Sequence, residues 1–183
     1  MNWFVFAILA YVLYAVQILL APLWTVHWGE QRLEPILMLI LLVFIGLQAR
    51  AIAVGWAALI LGLLVDVSLQ QHEPGLIGPW AIGFLAAGYA LVQLRNLLFK
   101  DSMFTIAIMT FVAGVFAYLV ATTIHVMRGI PMFNNPPVEG FSAADQLFHG
   151  FGVLVYTAAV AVPLGYVLLK TRPAWGFTGR GSR

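Results

Sequence analysis

The stretch PILMLILLVFIGLQARAIAVGWAALILGLLV, Pro35 to Val65, is apolar throughout except at Gln48 and Arg50. As one helix it would reach about 46 Å at about 1.5 Å per residue, overshooting a bilayer hydrocarbon core about 30 Å thick. The run therefore folds back on itself, and Gln48-Ala49-Arg50 is the only polar place to turn. Two short helices are expected, over about 35–48 and about 51–67.

Composition says what solvent surrounds them. Of 183 residues 62% are hydrophobic and 9% charged, with a mean hydropathy of +0.96. A soluble domain needs roughly a quarter of its residues charged, so this chain cannot clothe a water-facing surface. In lipid every backbone N–H and C=O must be paired internally, which leaves helices or a closed barrel. Barrel strands alternate polar and apolar residues over about ten positions. The apolar stretches here are continuous, and helices follow.

The remaining segments read the same way. A first span covers about 3–23 and stops at Pro22 and a polar hairpin, His27 to Glu34. It lacks a basic leader region and reads as a retained helix rather than a removed signal. After the loop Ser68 to Gly75 come spans over about 79–99 and 103–127, then a loop from Arg128 to Phe141 rich in Pro and Asn. Ser142-Ala-Ala-Asp145 has the form of a capping box opening a sixth span, about 143–169. Residues 171–183 read as a short basic cytoplasmic tail. The expected fold is an all-α integral membrane protein, a single transmembrane domain over 1–183 in a compact bundle of about six helices.

Charge sets the orientation, because Lys and Arg collect on the cytoplasmic side. With the N-terminus inside, the inner segments hold Arg50, Arg95, Lys100, Lys170, Arg172, Arg180 and Arg183, and the outer loops only Arg32 and Arg128. Both termini are therefore expected inside. Trp24, Trp28 and Trp80 then lie near the outer interface. The scattered basic residues do not suggest nucleic acid, and the absence of cysteine excludes disulfides and thiolate metal sites.

This topology places His27, His72, His125 and His149 on the outer side, with Asp66, Glu73 and Asp145. Asp145 and His149, four apart, share a helix face and read as an interfacial pair; a metal would need a third ligand. Asp66 ends the apolar run Gly62-Leu63-Leu64-Val65-Asp66. A carboxylate within a span is costly enough to suggest a role, either binding a cationic partner or organising the following loop through backbone N–H groups. The plainer reading is a helix-end residue at the headgroup level. Serine-protease elbows and His-Glu-x-x-His strings are absent, so no catalytic residue and no cofactor is expected. Gln17 and Gln93 are the nearest polar candidates for a conduction path. Gly83 and Ala87, like Ala113 and Ala117, are four apart and allow close helix approach, within the bundle or against another protein's helix.

The segment Leu33 to Arg95 resembles the rod shape-determining protein MreD family. That family shows Gly-Leu-Leu-x-Asp, a short loop with Pro and Gly, and a small-residue-rich helix ending in Arg. Here these are Gly62, Leu63, Leu64 and Asp66, then Pro74 and Gly75, then the helix through Gly83 and Ala87 to Arg95. The chain departs in the loop, which is longer than the family's Ser-Gly-x-Pro-Leu-Gly turn and carries His72 and Glu73. The resemblance implies a non-catalytic scaffold of the cell-elongation (peptidoglycan synthesis) machinery in the bacterial inner membrane. It implies an MreC-like single-span partner and, through it, a RodA-type glycan polymerase and a class-B penicillin-binding transpeptidase, with MreB filaments further off. It also implies a fold like the substrate-binding subunit of energy-coupling-factor transporters, which supplies the alternative of a vitamin or small-molecule carrier subunit.

Overall fold

A computed structural model describes residues 1–28, 31–69, 78–95, 102–128 and 143–175. Its helices are α1 (Trp3–Leu19), the single turn α2 (Ala21–Trp24), α3 (Leu37–Gln48), α4 (Ala51–Leu69), α5 (Pro79–Leu94), α6 (Met103–Arg128) and α7 (Ala143–Thr171). A 3-10 turn, Arg172–Trp175, follows α7. The fold-back expected in the 35–65 run occurs where the polar residues allow it. α3 ends at Gln48, Ala49 is its C-cap in extended backbone, and α4 begins at Ala51.

The expectation of a purely helical chain needs correction. Between α2 and α3, β1 (Val26–Trp28) and β2 (Gln31–Leu33) pair antiparallel, with His27 opposite Arg32. Thr and Val favour extended backbone, and the Thr25 hydroxyl donates to Glu34 Oε1 at 3.1 Å across the hairpin's open end. Leu33 turns inward and is buried, lying over Gly152 of α7.

Among the described residues, three helices are long and apolar enough to cross a membrane, within α4, α6 and α7; α1, α3 and α5 are shorter apolar helices. α3 takes the centre. It touches α1, α4, α5, α6 and α7, and no residue from Met38 to Ile45 is more than 1% exposed. A helix apolar all round is a buried one, and α3 is sealed by protein instead of lipid.

Its neighbours each turn one stripe toward it. Val54, Ala57, Ala58, Leu61 and Val65 of α4 are buried at helical spacing, as are Ile106, Met109, Ala113, Ala117 and Ala121 of α6. Their other faces present large apolar side chains outward, among them Ile52, Trp56, Ile108 and Phe116. In water such a surface would aggregate; in a bilayer it is the solvated face.

Candidate functional site

The densest polar geometry inside the bundle lies where α4 meets α5. Asp66 is in the last turn of α4 and only 3% exposed. Its Oδ2 accepts the N–H groups of Gly78 and Ala81, both at 3.0 Å, and its Oδ1 accepts that of Trp80 at 3.1 Å. The first N–H groups of any helix lack intrahelical acceptors, and here one carboxylate serves three of them. At the end of α4 the charge opposes that helix's dipole, but at the start of α5 it complements the dipole. All three contacts go to backbone N–H groups at the start of the following helix. Gly78, at φ +128°, has the left-handed backbone that lets the chain enter α5, a conformation glycine adopts without strain.

One turn earlier on the same face, Gly62 lets the two helices meet. A Cβ there would lie 2.6 Å from the Ala81 Cα and 2.8 Å from the Trp80 carbonyl oxygen. Gly62 and Asp66 therefore act on the same turn of α5, one by having no side chain and the other through its carboxylate. Pro74 and Gly75, with His72 and Glu73, lie outside the described residues.

Gly83 and Ala87 sit on the other side of α5. A Cβ at Gly83 would be 2.7 Å from the Ala117 carbonyl oxygen of α6, and Ala87 is fully buried. Gly83 is spent on internal α5–α6 packing, and Ala87 is enclosed within the bundle. The close approach that Gly83 allows is taken by α6.

Three other interior polar side chains serve helix ends too. Gln17 of α1 accepts the Leu37 N–H at 3.1 Å, and Thr157 of α7 accepts the Ile36 N–H at 3.1 Å while donating to the Val153 carbonyl. These cap the start of α3. At its other end the Arg95 guanidinium donates to the Ala49 carbonyl oxygen, a cation placed at the negative end of the α3 dipole. Gln17 is thus a cap, and Gln93 lies exposed near the end of α5; neither lines a path through the bundle.

Some of these partners were not legible beforehand. Thr157, the Arg95–Ala49 contact and Trp175 carry no motif. Trp175, in the stretch read as a tail, is fully buried, stacks edge-on to Phe44 of α3 at 5.3 Å and accepts the Asn2 N–H at its carbonyl. The signal available was indirect: a short, wholly apolar helix with no cap residues of its own must borrow them.

Asp145 is exposed and His149 half-buried on α7, while His125 Nδ1 lies 2.7 Å from the Ala121 carbonyl oxygen. Among the described residues no three His, Cys, Asp or Glu side chains converge. The space beside Gln17, Glu34 and Leu37 holds about 10 Å³, room for one water.

Comparison with known proteins adds the family. The family model for the rod shape-determining protein MreD matches residues 1–138. No curated protein and no solved structure matches the chain. The matched stretch takes in α1 to α6 and the whole Gly62–Asp66 joint, and the chain belongs to the MreD family.

Proposed function

We propose, from this membership, that the chain is a non-catalytic membrane scaffold of the cell-elongation complex, holding an MreC-like single-span protein and through it the cell-wall synthases. A role in rod-shape determination is the family's; the partners are the proposal. The observation that carries it is the use of the interior. The centre of the bundle, where a carrier would keep its ligand or an enzyme its reacting groups, is filled by α3. Four of the polar side chains that enter the bundle, Gln17, Asp66, Arg95 and Thr157, are engaged with the backbone of another element, and among the described residues only Thr122 Oγ1 and Gln146 Oε1 are buried without a hydrogen-bond partner. What is left for other molecules is the apolar perimeter and the two polar ends.

In this reading the chain crosses the bacterial inner membrane six times with both termini in the cytoplasm, as the Lys and Arg distribution favours. An alternative role as a substrate-binding subunit gains nothing from the small space beside Gln17, and the larger cleft of about 590 Å³, lined by Met103, Phe104, Tyr166 and Lys170, is an open groove between the start of α6 and the end of α7.

Depletion in the native, elongating host tests the proposal, scored by microscopy together with pull-down of the tagged chain. Loss of cell shape and recovery of an MreC-like partner are expected. Cells that keep their shape, with no such partner recovered, would refute it. Mass spectrometry of the purified protein adds a second arm, in which a retained vitamin-like molecule would favour the carrier.

A further inference from the structure

Near one end of the bundle α6 and α7 are in close contact at Gly165, where a Cβ would lie 3.2 Å from Ile106 Cδ1. Beyond that contact the pair opens into the cleft of about 590 Å³, lined by Ser102, Met103, Phe104, Tyr166, Leu169 and Lys170. Its volume is that of a small-molecule site, roughly 300–1,000 Å³, but it is not enclosed. Phe104 is 65% and Tyr166 49% exposed, so the cleft opens sideways on the apolar perimeter of the bundle.

The lining changes character along the helices. Met103 and Leu169 are half-buried apolar side chains. Ile108, one turn on from Phe104 on the same face of α6, is exposed and continues the apolar wall toward the middle of the bundle. The cation is Lys170, in the last turn of α7. Its Nζ stands 4.5 Å from the centroid of the Tyr166 ring, one turn back on the same helix. The negative face of the ring holds the ammonium at the cleft, while the stem of the side chain lies along apolar surface.

The charge around the cleft has one sign. Arg50, Arg95 and Arg172 share this end of the bundle with Lys170, since Arg95 holds the α3–α4 turn and Trp175 meets Phe44 in the second half of α3. Among the described residues this end carries no carboxylate. Glu34, Asp66 and Asp145 lie at the other end, around the starts of α3, α5 and α7. A basic pocket between membrane helices at the level of their ends suits the headgroup of an anionic lipid. The apolar wall running on from it suits an acyl chain, which a free phosphate lacks.

We propose that this cleft binds one anionic phospholipid, with its phosphate on Lys170 and an acyl chain along Phe104 and Ile108. The single cation in the lining matches a single phosphodiester charge, and Ser102 adds a hydroxyl for a polyol headgroup. The class is therefore a singly charged lipid of the phosphatidylglycerol type. The site depends on the chain lying in a membrane and not on its role as a scaffold.

Native mass spectrometry of the full chain in detergent tests this, with phosphatidylglycerol or phosphatidylcholine of identical acyl chains offered in turn. One retained phosphatidylglycerol is expected, favoured over phosphatidylcholine about fivefold, the worth of one lysine at an anionic lipid surface. Lys170→Gln should abolish that preference. Arg50→Gln, which alters an exposed cation at the same end but outside the cleft, should keep it. No preference in the native chain, a preference that survives Lys170→Gln, or an equal loss from Arg50→Gln would each overturn the proposal. In a second arm, millimolar glycerol 3-phosphate should leave the lipid bound; displacement by it would mean that the cleft takes a soluble phosphate instead. Both substituted side chains are exposed, so the core is left intact, and unchanged thermal melting of the variants verifies that.

Discussion

The carboxylate of Asp66 accepts the Gly78 N–H at 3.0 Å, joining the last turn of one helix to the first residue before the next. Because the same carboxylate also takes the N–H groups of Trp80 and Ala81, it is the cap α5 does not carry in its own sequence, where Gly78 stands at the N-cap position. Asp66→Ala leaves three N–H groups unpaired next to apolar side chains. The expected loss is about 2–4 kcal/mol, given about 1–3 for a buried group left unsatisfied and about 1 for a lost cap. Asp66→Asn keeps an acceptor and loses less. Unfolding of both variants in detergent, followed by tryptophan fluorescence, checks the order; equal loss from both would mean the charge and its acceptor geometry are immaterial.

Two glycines on α4 should respond in opposite directions. Gly62→Ala drives a methyl into the backbone of α5, 2.6 Å from the Ala81 Cα, and is expected to cost about 1–3 kcal/mol. Gly55→Ala meets nothing within 4 Å and should gain up to about 1 kcal/mol from helix propensity. Comparing the two variants by unfolding in sodium dodecyl sulfate measures the contrast. A harmless Gly62→Ala would mean that the helices do not approach as described.

Gln17→Leu and Thr157→Val each remove one acceptor at the start of α3. Hydrogen exchange at the Leu37 amide should speed up in the first variant and at the Ile36 amide in the second, because each N–H has its own acceptor. Exchange unchanged at both amides would remove these two side chains from the capping of α3.

Arg95→Gln should loosen the α3–α4 turn, since the guanidinium holds the Ala49 carbonyl. Arg50 follows directly and is exposed, so limited trypsin digestion reads the effect. Faster cleavage after Arg50 in the variant is expected, and an unchanged rate would show that the turn does not depend on Arg95.

Much of this architecture was legible from residue order. The 35–65 run had to fold back at Gln48-Ala49-Arg50 because no bilayer accommodates its full length, and α3 and α4 divide there. Asp66 stood out because a carboxylate after 15 apolar positions needs acceptors or donors to justify it, and the N–H donors are those of the next helix. The position of α3 was not legible. Lipid and protein interior are equally apolar, so LMLILLVFIGL reads the same whether it faces acyl chains or five other helices. The polar hairpin over 27–34 was legible as a reversal, but its two strands are only three residues each, too short for an alternation to read. Trp175 was hidden by the basic residues around it. Gly83 and Ala87 were legible as close-approach residues, but a small side chain does not say which helix approaches.

The caps of α3 also fix an order of events in biosynthesis. Ile36 leaves the ribosome 121 residues before Thr157, the acceptor of its N–H. At about 5–20 residues per second that interval is roughly 6–24 s. During it the central helix has neither its α7 acceptor nor the Trp175 floor, and its apolar sides lack α6 and α7. α7 is therefore the helix that closes the cap of α3, and a nascent chain stalled before Thr157 holds its core helix open to the insertion machinery.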